Sequence, residues 1–233
     1  MELKEKTILI TGSTDGLGKL LAQHFSDKGL RVIIHGKNKE KVHLVKKQIN
    51  AYDTVVCDFN KPSTVKSAFV KLGELDILIN NAGVWLEGNT LEMQHEKIIE
   101  NINVNLLSHL LVTRTLLPKL VKSKFAQILN VVSVAGIEIP FDYYHTIYTA
   151  AKYGMQGFSE GLEKEFDNKN IRVMGFYPGG MNTKLFKKAG MVYKVNEPWM
   201  FDIAEAVEAI DFMLTRSPKI NIKRMDLINH LQK

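Results

Sequence analysis

A chain of 233 residues with 45% apolar, 24% charged and 9% aromatic residues has the size and composition of a single globular domain with a sizeable core. Its one cysteine, Cys57, excludes an internal disulfide and a Cys-x-x-Cys metal knuckle, which points to a reducing, cytoplasmic compartment and to no metal site. The charged opening from Met1 to Lys6 and the lack of any apolar run near the ~20 residues of a membrane helix argue against a signal peptide and a membrane partner. The net charge of +6 is left open between nucleic acid, an anionic ligand and plain solubility.

Short β-branched runs alternate with longer amphipathic stretches, the pattern of βαβ units. In chain order, strands are expected at Thr7 to Thr11, Arg31 to His35, Thr54 to Cys57, Asp76 to Asn80, Gln127 to Val132, Ile171 to Tyr177 and Ile220 to Leu227. Helical patterns fall at Leu17 to Lys28, Glu40 to Ile49, Pro62 to Leu72, Glu92 to Lys122, Ile147 to Asp167 and Ile203 to Thr215. Pro62 suits a first helical turn behind Asn60 as a cap, and the stretch from Glu92 to Lys122 is long enough to divide into two helices near Asn101 or Asn103. Val32-Ile33-Ile34 and Ile77-Leu78-Ile79 are continuous apolar runs, as strands buried on both faces should be. The expected fold is therefore a Rossmann-type, doubly wound parallel sheet of about seven strands in three α/β/α layers, one domain spanning 1–233.

Directly after the first strand comes Thr11-Gly12-Ser13-Thr14-Asp15-Gly16-Leu17-Gly18, opening into a helical pattern. Glycines there allow a tight turn and a close backbone approach, while free N–H groups and the positive helix end face an anion, so the segment reads as a phosphate cradle. The second strand ends in Ile34-His35-Gly36-Lys37-Asn38. An acid at that junction would hold the ribose hydroxyls of NAD. Lys37, helped by Ser13 or Thr14, instead suits the 2′-phosphate of NADP, so NADP(H) is preferred and NAD(H) is left open.

Tyr148 and Lys152 stand four apart in a helical pattern and so share one face. A lysine ammonium beside a phenol favours its ionised form and prepares it for proton exchange. With 7 tyrosines among 233 residues and many lysines, about one Tyr-x-x-x-Lys pair is expected by chance, so position must carry the reading. Ser133 supplies it: it lies just past the C-terminal end of the fifth strand, where ligands bind in open α/β sheets, and the loop after it returns to the helix of Tyr148. Its hydroxyl could hydrogen-bond a substrate carbonyl while the tyrosine moves the proton.

From about Lys6 to Thr215 the chain resembles the compact, single-domain branch of the short-chain dehydrogenase/reductase family. The matching pieces are the glycine turn, Asp58, Asn80-Asn81-Ala82-Gly83, Val104-Asn105-Leu106, Ser133, Tyr148-x-x-x-Lys152, and Pro178-Gly179 with Thr183. The resemblance implies that Tyr148 is the acid/base, that Lys152 lowers its pKa and bonds the nicotinamide ribose, that Ser133 orients the carbonyl, and that Asn105 holds a water in a proton relay. It also implies that Gly12, Ser13, Asp15, Gly16, Leu17 and Gly18 surround the pyrophosphate and adenosine ribose. Asp58 would contact the adenine, Asn81, Ala82 and Gly83 would line the cofactor channel, and Thr183 would bond the carboxamide, with Met181 close by.

The expected activity is an NAD(P)-dependent oxidoreductase interconverting a carbonyl and a secondary alcohol, with a dinucleotide-sensing or scaffold protein of the same fold as the alternative. A lid at about 180–201 carries Met181, Leu185, Phe186, Met191, Val192, Tyr193, Trp199, Met200 and Phe201, which with Val84-Trp85-Leu86 suggests a hydrophobic small-molecule substrate. Lys184, Lys187 and Lys188 read as solvated lysines, as do Lys39 and Lys41. The loop with Pro140, Phe141, Tyr143 and Tyr144 is two residues longer than in many members. The C-terminal Ile220 to Leu227 lacks the Asp-Gly-Gly ending of tetrameric relatives, so the expected homo-oligomer is a dimer through the Leu106 to Lys122 and Tyr148 to Asp167 helices. No zinc-finger spacing or basic heptad region supports a nucleic-acid partner.

Overall fold

The computed structural model describes residues 2–139, 144–167, 169–192 and 197–231. Seven parallel strands form one sheet in the order β3-β2-β1-β4-β5-β6-β7. They are β1 (Thr7–Ile10), β2 (Arg31–Gly36), β3 (Asp53–Val56), β4 (Ile77–Asn80), β5 (Ala126–Val131), β6 (Ile171–Pro178) and β7 (Arg224–Leu227). The strand order reverses between β1 and β4, and a reversal of this kind opens a crevice beyond the carboxyl ends of the strands.

Alternation along the strands builds both faces. Ile8, Ile10, Val32, Ile34, Ile77 and Ile79 face Leu21 and Phe25 of α1 (Gly16–Asp27), Val42 and Val45 of α2 (Lys39–Ile49), and Ile210 and Met213 of α8 (Ile203–Thr215). Leu9, Ile33, Leu78 and Ile128 face the other way, onto Phe69 of α3 (Val65–Phe69), Val112 and Leu116 of α5 (Ser108–Leu120), and Leu162 and Phe166 of α6 (Thr146–Phe166). The result is the three-layer sandwich expected from the sequence, with strands apolar on both sides.

Local chemistry fixes the element ends. Asp15, Asn38 and Asp202 cap α1, α2 and α8 through their side chains, each accepting a backbone N–H of the first turn. The Asn60 cap does not form: Pro62–Thr64 is a 3₁₀ turn before the short α3, and the Asn60 N–H instead donates to the Asp58 carboxylate at 3.0 Å. The long pattern after Glu92 does divide into two α-helices near Asn103, without a break in the winding. α4 (His95–Ile102) runs through a π-helical turn at Asn103–Leu107 directly into α5. π turns of this kind concentrate at functional sites, and Asn105 sits inside this one. β7 is shorter than expected, and the segment after β6 contains a helix the sequence pattern missed, α7 (Leu185–Lys188).

Candidate active site

The glycine turn crosses from β1 to α1 against the loop after β4. Gly12 has φ +65°, and a Cβ there would lie 2.7 Å from the Cα of Ala82, so only glycine fits this contact. Thr11 joins the same two loops, its hydroxyl oxygen accepting the N–H groups of Asn81 at 2.8 Å and Ala82 at 3.0 Å. Beyond the strand ends these loops border a cleft of about 1400 Å³.

Of the residues singled out in the sequence, Gly12, Thr14, Asp15, Gly16, Leu17, Gly18, Lys37, Asp58, Asn81, Ala82 and Gly83 line the outer part of this cleft. Asn105, Ser133, Tyr148, Lys152, Pro178, Gly179, Met181 and Thr183 line its inner part. Ser13 is the exception. It is fully buried, its hydroxyl donating to the Ile10 carbonyl at 2.8 Å and accepting the His35 N–H at 2.8 Å, so it stabilises the turn from beneath instead of facing the cleft.

The inner residues converge because β5, α6 and the π turn pack closely. A Cβ at Gly136 would lie 2.7 Å from the Lys152 carbonyl oxygen, so the turn carrying Ser133 rests directly on α6 beside the lysine. Lys152 is 4% exposed; its ammonium donates to the Val131 carbonyl at 3.2 Å and lies 5.5 Å from the centre of the Tyr148 ring. Burial penalises its charge and pulls its pKa down to about 8. The Ser133 hydroxyl accepts the Ala135 N–H at 3.2 Å and donates a long bond of 3.5 Å to the Pro178 carbonyl. Asn105 is committed through its side chain to Val84, accepting its N–H at 3.1 Å and donating to its carbonyl at 2.9 Å.

An aromatic wall stands over Tyr148. The Trp85 ring is 4.6 Å from those of Tyr148 and His145 and 4.9 Å, edge-on, from Phe186, which in turn meets Trp199 at 5.6 Å. Burial pulls the His145 pKa down to about 4. The Asn182 N–H donates to the Phe201 carbonyl and the Phe201 N–H to the Gly180 carbonyl, each at 3.0 Å, which closes the base of the segment carrying α7. Pro140, Phe141, Tyr143 and Tyr193 lie outside the described residues.

Two lysines read as solvated are engaged at the mouth. The Asp15 carboxylate bonds Lys188 of α7 at 2.8 Å and Lys41 of α2 at 3.2 Å, so α7 and α2 are both tied to the glycine turn. Burial raises the Asp15 pKa, but Lys188, the Gly16 N–H and Lys41 outweigh it and hold the carboxyl below the usual range. Sequence spacing could not pair Asp15 with Lys188, which stand 173 positions apart and meet only through the fold.

The cleft fits a dinucleotide by its chemistry. An amide-lined helix start faces it, Lys37 and Lys188 line it with positive charge, and at Gly16 a Cβ would meet only Thr183 at 3.9 Å, so the turn is open there. Among the described residues no cluster of His, Cys, Asp or Glu could hold a metal ion, and no helix is long and apolar enough to cross a membrane.

Comparison with known proteins agrees with this geometry. An uncharacterised oxidoreductase of Staphylococcus aureus (strain MW2) is 27% identical over 229 residues, 96% of each chain. Among solved structures, a 3-oxoacyl-[acyl-carrier protein] reductase from Brucella melitensis is 26% identical with a TM-score of 0.85, covering 100% of this chain and 93% of that one. An alcohol dehydrogenase from the archaeon Thermococcus sibiricus, complexed with 5-hydroxy-NADP, shares the fold with a TM-score of 0.86 over 99% of both chains at 19% identity. The family model for short chain dehydrogenases matches residues 6–192. With that match spanning most of the sheet and its crevice, the chain belongs to the short-chain dehydrogenase family and has the fold of an NAD(P)-dependent oxidoreductase.

Proposed function

We propose that the protein interconverts a carbonyl and a secondary alcohol with NADP(H), acting on a small substrate with a hydrophobic body. The observation that carries this is the buried Lys152 ammonium beside the Tyr148 ring, at the foot of a cleft whose mouth is the glycine turn. Gly12, Gly16 and Gly18 with the α1 amides would take the diphosphate. Asp58 would meet the adenine, Asn81, Ala82 and Gly83 the channel, and Pro178, Gly179, Met181 and Thr183 the nicotinamide end. Lys37 and Thr14 support NADP(H) over NAD(H): Thr14 lies against Gly36, where a Cβ would be 2.7 Å from its methyl group, next to the lysine.

When bound, the nicotinamide supplies or accepts a hydride at the carbonyl carbon. Tyr148 then gives a proton to the carbonyl oxygen in reduction and takes one from the hydroxyl in oxidation. Lys152 stabilises the phenolate that proton loss leaves, and bonds the ribose. Ser133 donates to the carbonyl oxygen and orients it. The Asn105 side chain is held by Val84, so its part in a water relay falls to its backbone carbonyl. Trp85, Phe186 and Trp199 exclude water from the reacting atoms and form an apolar surface for the substrate body.

The exposed side chains of Leu107 and Val121 at the ends of α5 and Tyr153 on α6 support a homodimer through those helices, and the lone buried Cys57 suits a cytoplasmic setting. The test is turnover of a carbonyl panel with NADPH by wild type and Tyr148→Phe. Loss of turnover with retained NADPH binding supports the reading. Binding without turnover in the wild type would leave a dinucleotide-sensing protein.

A further inference from the structure

Two histidines that the proposed chemistry does not use sit beneath the cleft, 3% and 1% exposed. His35 ends β2. The Gly12 N–H donates to its Nδ1 at 3.1 Å, so its proton resides on Nε2, which donates to the Cys57 carbonyl at 3.1 Å. Its backbone grips the next residue as well, the carbonyl accepting the Ser13 N–H at 2.9 Å and the N–H donating to the Ser13 hydroxyl at 2.8 Å. His109, on α5, lies between two acceptors, the Ala82 carbonyl 2.7 Å from Nε2 and the Asn80 Oδ1 3.3 Å from Nδ1; the neutral ring carries one proton, and the shorter contact assigns it to Nε2, which donates to Ala82.

Phe59 joins the two imidazoles. It stacks on His35 with centroids 4.3 Å apart and planes 25° from parallel, and meets His109 edge-on at 5.6 Å and 87°. One ring column therefore runs from the glycine turn to the loop after β4, under the line where Gly12 and Ala82 touch. A buried polar ring is destabilising unless its nitrogens are paired, and a leucine would fill similar space without that cost. What imidazole adds at these places is an acceptor for the Gly12 N–H and donors to the Cys57 and Ala82 carbonyls. All three bonds act on residues that line the cleft.

We propose that His35, Phe59 and His109 form a brace that fixes the two cofactor-facing loops against each other, and that they are positioning residues for NADP(H) affinity, acting through Gly12 and Ala82. This rests on the reading of the cleft as the NADP(H) site. The brace has no part in hydride or proton transfer, so it is read in cofactor affinity and not in the turnover of the saturated enzyme.

The test titrates NADPH by fluorescence into the wild type, His35→Leu, His35→Asn, His109→Leu, His109→Gln and Phe59→Leu, with melting curves and, where turnover exists, kcat at saturating NADPH. The two histidine-to-leucine variants should bind NADPH about tenfold more weakly with kcat nearly unchanged. His35→Asn, whose side-chain oxygen can take the Gly12 N–H, and His109→Gln, whose amide can reach the Ala82 carbonyl, should recover most of that affinity. Folded leucine variants that bind NADPH as the wild type does would overturn the proposal, as would asparagine and glutamine variants that lose as much as leucine. If the leucine variants fail to fold, Phe59→Leu decides: it keeps all three hydrogen bonds, and unchanged affinity there would overturn the ring column. A wild type that binds NADPH but turns over no carbonyl removes the proposed reaction and leaves the brace to stand or fall on affinity alone.

Discussion

The Lys152 ammonium lies 5.5 Å from the centre of the Tyr148 ring while bonding the Val131 carbonyl at 3.2 Å. One helix turn sets the pair and one strand end anchors it, so the charge is fixed beside the phenol, and among the described residues no carboxylate pairs with it. Tyr148→Phe should therefore lower turnover by about 10²-fold or more while NADPH still binds, the usual scale of a lost acid/base. Steady-state rates and a parallel cofactor titration check it.

Burial sets a pH signature. With the Lys152 pKa pulled down to about 8, the ammonium is present below that pH and is lost above it. The rate in cofactor-saturated protein should bend near pH 8, and Lys152→Arg, which stays charged, should lose the bend at reduced activity. The same shift destabilises the folded state below pH 8, because an unfolded lysine holds its proton up to about 10.5 and the folded one does not; stability should rise between those values. A pH–rate profile and melting curves on both proteins read this directly.

The buried histidines predict acid sensitivity of the opposite origin. Burial pulls His35 down to about 4 and His109 down to about 3, against an ordinary value of 6.5. The folded state refuses protons that the unfolded chain takes, so stability is intact at neutral pH and falls as the pH drops from 6.5 toward 4. At about pH 5 each would cost roughly 2 kcal/mol. Melting temperature against pH should show the fall, and His35→Asn should make it shallower.

The bond between Lys188 and Asp15 ties α7 to the glycine turn across the cleft mouth. Lys188→Gln should loosen the lid and weaken NADPH binding by a few-fold, with the faster dissociation visible in stopped-flow release; an exposed ion pair supports no larger effect. Unchanged release would separate the lid from cofactor retention.

The proposed preference for NADP(H) assigns Lys37 to the 2′-phosphate. Lys37→Asp should cost about tenfold in NADPH affinity, the scale of one charge-assisted phosphate contact, while NADH affinity holds or improves. Paired titrations with both cofactors measure the ratio.

Much of this was legible in the sequence for physical reasons. Strands apolar on both faces, such as Ile77-Leu78-Ile79, announce a parallel sheet, and Gly12, Ser133 and Tyr148 declare themselves by standing at strand ends or helix spacings that chemistry requires. What stayed hidden depends on distance in sequence. Lys188 and Lys41 look like solvent-facing charge until the fold brings them to Asp15, and His35 and His109 look like ordinary polar residues until Phe59 is placed between them. Ser13 misled because its neighbours face the cleft while its own hydroxyl turns inward to Ile10. The π turn at Asn103–Leu107 looked like a helix break because two asparagines disfavour a helix interior; the bonds of Asn105 to Val84 compensate.

The most direct measurement is the consumption of NADPH, followed by its absorbance, as wild type and Tyr148→Phe meet a panel of hydrophobic ketones and aldehydes. Carbonyl-dependent oxidation of NADPH by the wild type, abolished in the variant although it still binds the cofactor, is the predicted result. Equal rates in the two proteins, or a wild type that binds NADPH and reduces none of the panel, would contradict it.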